Sequence, residues 1–100
     1  MIKPTIGRKV WYWPSKNDKV GRGAMQCNAI DPLDATVVAV HGDRMVNLVV
    51  FDHNGNQHKC TSVTLKQEGD ITREGEAFAE WMPYQITQAA KQEPVEPVAI

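Results

Sequence analysis

The sequence is short of several things, and each shortage excludes a class of protein. Among its 100 residues are only two cysteines, Cys27 and Cys60, too few for the disulfide framework that staples small secreted domains. A single bridge between them is open to geometry. However, the chain starts Met1-Ile2-Lys3-Pro4, without the apolar core of an export signal, so two reduced thiols in a cytosolic setting are the more economical expectation. Long apolar runs are missing too. No stretch approaches the roughly 18 residues that mark a membrane span, so no membrane partner is expected. Net charge is nearly absent, at −1, which excludes the strongly basic coat of a general nucleic-acid binder. At this length one domain is expected, one that buries only about two thirds of its unfolded surface, so homo-oligomerisation would be a natural supplement.

What is present is unevenly placed. Residues 1 to 22 carry six bases (Lys3, Arg8, Lys9, Lys16, Lys19, Arg22) against Asp18, a balance of +5. Residues 68 to 100 carry seven acids (Glu68, Asp70, Glu74, Glu76, Glu80, Glu93, Glu96) against Arg73 and Lys91, a balance of −5. Either the two ends pair with each other, or an electropositive patch surrounds the first strand and the loop after it.

Arg8 to Trp13 is rich in β-branched and aromatic residues and is stopped by Pro14, so it reads as a first strand with Trp11 and Trp13 on one face and Val10 and Tyr12 on the other. Ser15 to Gly23 is polar, basic and glycine-containing, hence a long exposed loop, and Ala24 to Ile30 is expected to add a short strand before Asp31-Pro32. A three-stranded meander follows: Ala35–His41, a tight turn at Gly42-Asp43, Met45–Asp52, a two-residue turn at Asn54-Gly55, and Gln57–Leu65. Both faces of its middle strand are apolar, as in a curved sheet covered on both sides. Phe78 and Trp81 stand three apart, compatible with one helical turn or with a closing strand. Gln85 to Gln92 is a short helix candidate, and Pro94 and Pro97 mark an extended tail.

This order of elements predicts a mainly β fold, a small SH3-like five-stranded antiparallel barrel over residues 1 to 84, with a short C-terminal helix or tail over 85 to 100. An open α+β sheet is the alternative.

Ala35-Thr36-Val37-Val38-Ala39-Val40, Val46-Asn47-Leu48-Val49-Val50-Phe51, Asn54-Gly55, Thr61-Ser62-Val63 and Trp81-Met82-Pro83-Tyr84 together resemble a group of small uncharacterised proteins of tailed bacteriophages and prophages. The resemblance spans roughly residues 7 to 90 and is carried most specifically by the Val-Asn-Leu-x-Val-Phe strand and by Thr-Ser-Val. It implies a viral protein made in the host bacterial cytoplasm and brings no established activity. Val49-Val50-Phe51-Asp52-His53-Asn54-Gly55-Asn56 is also similar to the strand-hairpin-strand of Tudor and KOW-type barrels. Tudor barrels read methylated side chains with an aromatic cage. Here His53 follows the Phe-Asp pair in place of a hydrocarbon ring, so the likeness speaks to the fold rather than to the ligand.

For function, the informative feature is aromatic density near both ends: Trp11, Tyr12, Trp13, Trp81 and Tyr84. Core packing accounts for at least two of them, but alternation cannot bury both faces of Trp11-Tyr12-Trp13 in one small core. Exposed tryptophan beside Arg8, Lys16, Lys19 and Arg22 suits an acidic protein surface with an aromatic anchor, and it equally suits an anionic nucleotide's base and phosphate. The expected binding residues are therefore Arg8, Trp11, Trp13, Lys16, Lys19, Arg22, Trp81 and Tyr84. They serve a non-catalytic accessory module that docks on a host or phage protein, with nucleotide sequestration as the alternative and nucleic-acid binding third. Gly21-Arg22-Gly23 lacks the strand-to-helix context of a phosphate cradle. Asp52, His53, His58 and Cys60 flank one hairpin without a CxxC or HxxxH pair, so neither a metal nor any other cofactor is expected. No Cys-His arrangement comes with an orienting third group, so no catalytic residue is assigned.

Overall fold

The computed structural model describes residues 1–28, 30–71 and 75–92, with side-chain surroundings through residue 88. Five strands close into a barrel: β1 (Lys9–Trp13), β2 (Leu33–Gly42), β3 (Met45–Phe51), β4 (Gln57–Lys66) and β5 (Phe78–Trp81), followed by helix α1 (Pro83–Gln92). The small, mainly β barrel with a short C-terminal helix expected from the sequence is what forms.

Strand alternation sorts the residues. Val10 and Tyr12 of β1 point inward and are buried, while Trp11 and Trp13 are only half-buried on the outer face. Val10 pairs with Ala35 on one side and Trp81 on the other, and Tyr12 with Leu33 and Ala79, so β1 is the inner seam between the two ends of the chain. Val46, Leu48 and Val50 of β3 supply the opposite wall, and Val63 and Leu65 of β4 complete it. Each such aliphatic side chain taken out of water contributes roughly 1.5–3 kcal/mol, which drives closure of so small a sheet.

Two features of the sequence that look unremarkable bend the sheet. Asn47 is opposed by an extra residue on each neighbour: Val38 has no partner in the β2–β3 register, and two residues, Thr61 and Ser62, face Asn47 from β4. The Asn47 Oδ1 accepts the Ser62 N–H at 2.8 Å and meets the His41 Nε2 at 3.0 Å, plugging the gap. Ser62 adopts a φ of 53° there. Paired bulges of this kind tighten local twist and let a three-stranded meander curl into a barrel. The Val-Asn-Leu and Thr-Ser-Val strings are thus the two sides of one bulge.

Several sequence expectations give way. The barrel is antiparallel except at its closing seam, where β4 and β5 run parallel and meet at only two residue pairs, Leu65 with Ala79 and Lys66 with Glu80. Ala24 to Ile30 forms no strand within its described residues. Met25 is driven into the core with Cys27 packed partly against it, and the Met25 N–H reaches the Asp18 carbonyl at 2.8 Å, not a neighbouring strand. The first meander turn falls at Asp43-Arg44, one residue later than expected, because Gly42 still pairs with Met45. The Asn54-Gly55 turn is longer than two residues. Strand pairing ends at Phe51–Gln57, and Asp52 organises the loop between them, with Gly55 at φ 85°. Helix α1 begins at Pro83, two residues before the expected start, since proline at the first helical position surrenders no hydrogen bond. The expected Pro94–Pro97 tail lies outside the described residues.

Candidate docking surface

The outer face of β1 carries the surplus aromatics. Trp13 stacks against Phe78 of β5, with ring centroids 6.4 Å apart and planes inclined by 24°, and its indole N–H donates to the Glu80 carboxylate. Lys66 of β4 joins this cluster, its ammonium 5.6 Å from the Phe78 ring centre. At the opposite end of the strand Lys9 lies 5.6 Å from the Phe51 ring centre, is ion-paired to Asp34 at 2.8 Å and reaches the Thr36 hydroxyl at 3.0 Å. Trp11 stands between the two groups, flanked in register by Asp34 and Glu80. The result is a band of half-buried rings contributed by three strands, β1, β3 and β5, held by cation–π and hydrogen-bond contacts and edged by charges of both signs.

The structure divides the sequence-derived residues into three places. Trp11 and Trp13 share the band. Lys16, Lys19 and Arg22 are exposed on the β1–β2 loop, away from the rings that carry cations; among the described residues those cations are Lys9 and Lys66. Arg8 turns to the helix side, donating from Nη1 to Gln85 at 3.0 Å and from Nε to Thr5 at 3.3 Å. Trp81 is a correction. It is 4% exposed and its indole N–H donates to Gln67 at 3.1 Å, so alternation in β5 makes it core rather than surface. Tyr84, 67% exposed on the first turn of α1, is available but separate. Tyr12 and Trp81 are the two aromatics that core packing claims.

The basic loop is shaped from within. The Tyr12 hydroxyl donates to Asp18 at 2.6 Å, and the same carboxylate accepts the Ser15 N–H at 2.9 Å. Burial, and then the bond to Asp18, push the Tyr12 phenol far above its usual range, so it stays a neutral donor. Asp18 is thereby committed to the fold. No carboxylate lies within ion-pair distance of Lys16, Lys19 or Arg22 among the described residues, and no ion pair there joins the basic start to the acidic finish.

Two polar residues organise the ends of the barrel: Asp52, which the sequence brought up only as a ligand candidate, and Gln67, which sequence reasoning passed over. The Asp52 side chain is fully enclosed. It accepts the Asn54 and Asn56 N–H groups at 3.0 and 2.9 Å, the Gln26 N–H at 3.1 Å and the His58 Nε2 at 2.8 Å. Burial alone would raise its pKa, but the bonds from His58, Gln26 and Asn56 outweigh it and hold the carboxyl well below the ordinary range. At the other end buried Gln67 donates to the Ile2 and Asp43 carbonyls, both at 2.8 Å, and accepts from Ile2 and Trp81. An Asp opening an Asn-Gly-Asn stretch is a legible signal for a loop organiser; Gln67 has none.

The hairpin's histidines and cysteine each have contacts within the fold. His58 is committed to Asp52, and His53 meets the Asn28 N–H at 3.1 Å and the Pro32 carbonyl at 3.2 Å. Cys60 packs on the core, where burial pushes its thiol up, and both cysteines are free thiols. Among the described residues no three His, Cys, Asp or Glu side chains gather to hold a metal ion, and no helix is long and apolar enough to cross a membrane.

No protein-family model, curated protein or solved structure matches this chain.

Proposed function

We propose that this protein is a non-catalytic binding module that docks on a partner protein through the outer face of β1, with Trp11 and Trp13 as anchors. The observation that carries this reading is the placement of two half-buried tryptophans on one rigid strand, continued by Phe78 and Phe51 on neighbouring strands. Preformed aromatic surface costs little conformational entropy on binding and is where interface energy concentrates. The mixed charges of Lys9, Asp34, Lys66 and Glu80 at its edges supply a polar rim. The resemblance to small phage proteins supports a host or phage protein as the partner. Nucleotide binding finds less support, because one face of Trp13 already stacks on Phe78 and Lys9 is already ion-paired.

The test is affinity capture from phage-infected cells with the tagged full chain, followed by titration of whatever is recovered stoichiometrically. Trp13→Ala is expected to weaken that complex by about 30-fold, the effect of losing a ~2 kcal/mol anchor, with folding checked by thermal melting. Undiminished affinity in folded Trp11→Ala and Trp13→Ala variants would remove this face from consideration. A large thermal shift with nucleotides would favour ligand sequestration instead.

A further inference from the structure

The barrel is closed at one end and open along the rest of β4. Strand β5 reaches β4 only at Leu65 and Lys66, so the stretch from Gln57 onward has β3 on one side and no strand on the other. Antiparallel pairing turns backbone groups alternately toward and away from the partner strand. Beside the bonded pair of Asp52 and Asn56, the alternation makes Gln57 and Lys59 the residues whose N–H and C=O groups face away from β3. Among the described residues no backbone or side-chain hydrogen bond satisfies these groups.

This edge does not look onto bare solvent. The β1–β2 loop stands opposite it across an open groove of about 420 Å³, with Val20, Arg22 and Met25 on the loop side and Gln57 to Cys60 on the strand side. The groove is positively charged. Arg22 and Lys59 line it, Lys19 is exposed on the same loop, and none of the three has a carboxylate within ion-pair distance among the described residues. Asp18, the one acid on the lining, is engaged by Tyr12 and Ser15.

We propose that this groove binds an extended acidic peptide segment by strand addition to the free edge of β4. The segment's backbone pairs with Gln57 and Lys59, and its carboxylates meet Arg22 and Lys59. Main-chain pairing provides affinity and the cations select for acidic side chains. The surface is distinct from the aromatic band on β1.

The probe is a capped octapeptide of alternating Glu and Val, titrated into the isotopically labelled full chain and followed by amide NMR shifts and hydrogen exchange. The expected result is slowed exchange at the Gln57 and Lys59 amides, no binding by the Lys/Val counterpart, and at least tenfold weaker binding by Arg22→Glu and Lys59→Glu. Lys59→Pro removes an outward donor without breaking the β3 ladder, and with folding verified by its amide spectrum it is expected to lose binding as well. A Glu/Val peptide N-methylated at every residue, with neither edge able to donate, should also fail. The proposal is overturned if the N-methylated peptide binds as well as its parent, if the shifts fall on Trp11 and Trp13, or if no binding occurs at millimolar peptide. Slow exchange at Gln57 and Lys59 in peptide-free protein that sediments as a dimer would assign the edge to a second copy of the chain and likewise overturn it.

Discussion

Single polar residues hold this barrel's ends in shape, and their burial makes them sensitive. Gln67 offers both donors and an acceptor to three different segments, and of its partners the Trp81 indole N–H is the one shut away from water. Leaving one buried donor unmade costs about 1–3 kcal/mol. Gln67→Leu is therefore expected to lower the urea-unfolding free energy by ~2 kcal/mol. Gln67→Glu keeps the acceptor for Trp81 but turns an oxygen toward two carbonyls, so it should fall short of wild type as well. Equal stability of Gln67→Leu and wild type would contradict this account. Asp52 and Asp70 are the residues that set the acid limit. The Arg44 guanidinium and the Gln67 N–H hold Asp70 below its usual value, as His58 and backbone donors do Asp52. The unfolded chain thus binds protons more readily than the native one. The stability these carboxylates confer is complete above the usual carboxylate value of 3.8 and is lost as pH falls through their lowered native values. Acid titration of the far-ultraviolet signal should show wild type losing stability progressively below about pH 4, and Asp52→Asn should show a lower plateau at neutral pH with a flatter acid limb.

At the scale of elements, the bulge around Asn47 is where local sequence and tertiary shape meet. Ser62 occupies a left-handed conformation that disfavours any residue with a Cβ by roughly 1–2 kcal/mol. Ser62→Gly relieves that strain and is expected to raise stability by up to about 1 kcal/mol, whereas a β-branched Ser62→Val should destabilise by more than about 1 kcal/mol. Thermal melts of both variants would decide it, and a stabilising valine would show that the bulge is not held as described. Elements also mark the limits of what the sequence reveals. β-branched and aromatic runs bounded by turn signals located β1 and the three meander strands, whereas the spacing of Phe78 and Trp81 left β5 open between a helical turn and a strand. Alternation could not locate Met25, which is buried in irregular backbone. Nor could it distinguish core from surface for Trp81: only the pairing of β5 with β1, which opposes Val10 to Trp81, decides which way that indole points.

The whole molecule separates what its composition had joined. Aromatic and basic residues lie close together along the first strand and loop, but the barrel turns Trp11 and Trp13 onto one surface and Arg22 onto another, because the chain bends sharply after Pro14 and the Asp18–Tyr12 bond draws the loop inward over the strand's other face. The closed topology has a temporal consequence as well. The three meander strands are joined by short turns and can assemble from neighbouring residues, but the β1–β5 pairing joins Trp13 to Glu80, 67 positions apart. Contacts so distant along the chain carry the largest loop-closure cost and form last. During synthesis the first strand, with both of its tryptophans, emerges from the ribosome long before β5 exists to cover its edge. Until Trp81 has cleared the exit tunnel, β1 has β2 to pair with on one edge, while its other edge, beside both tryptophans, stands open in a crowded cell.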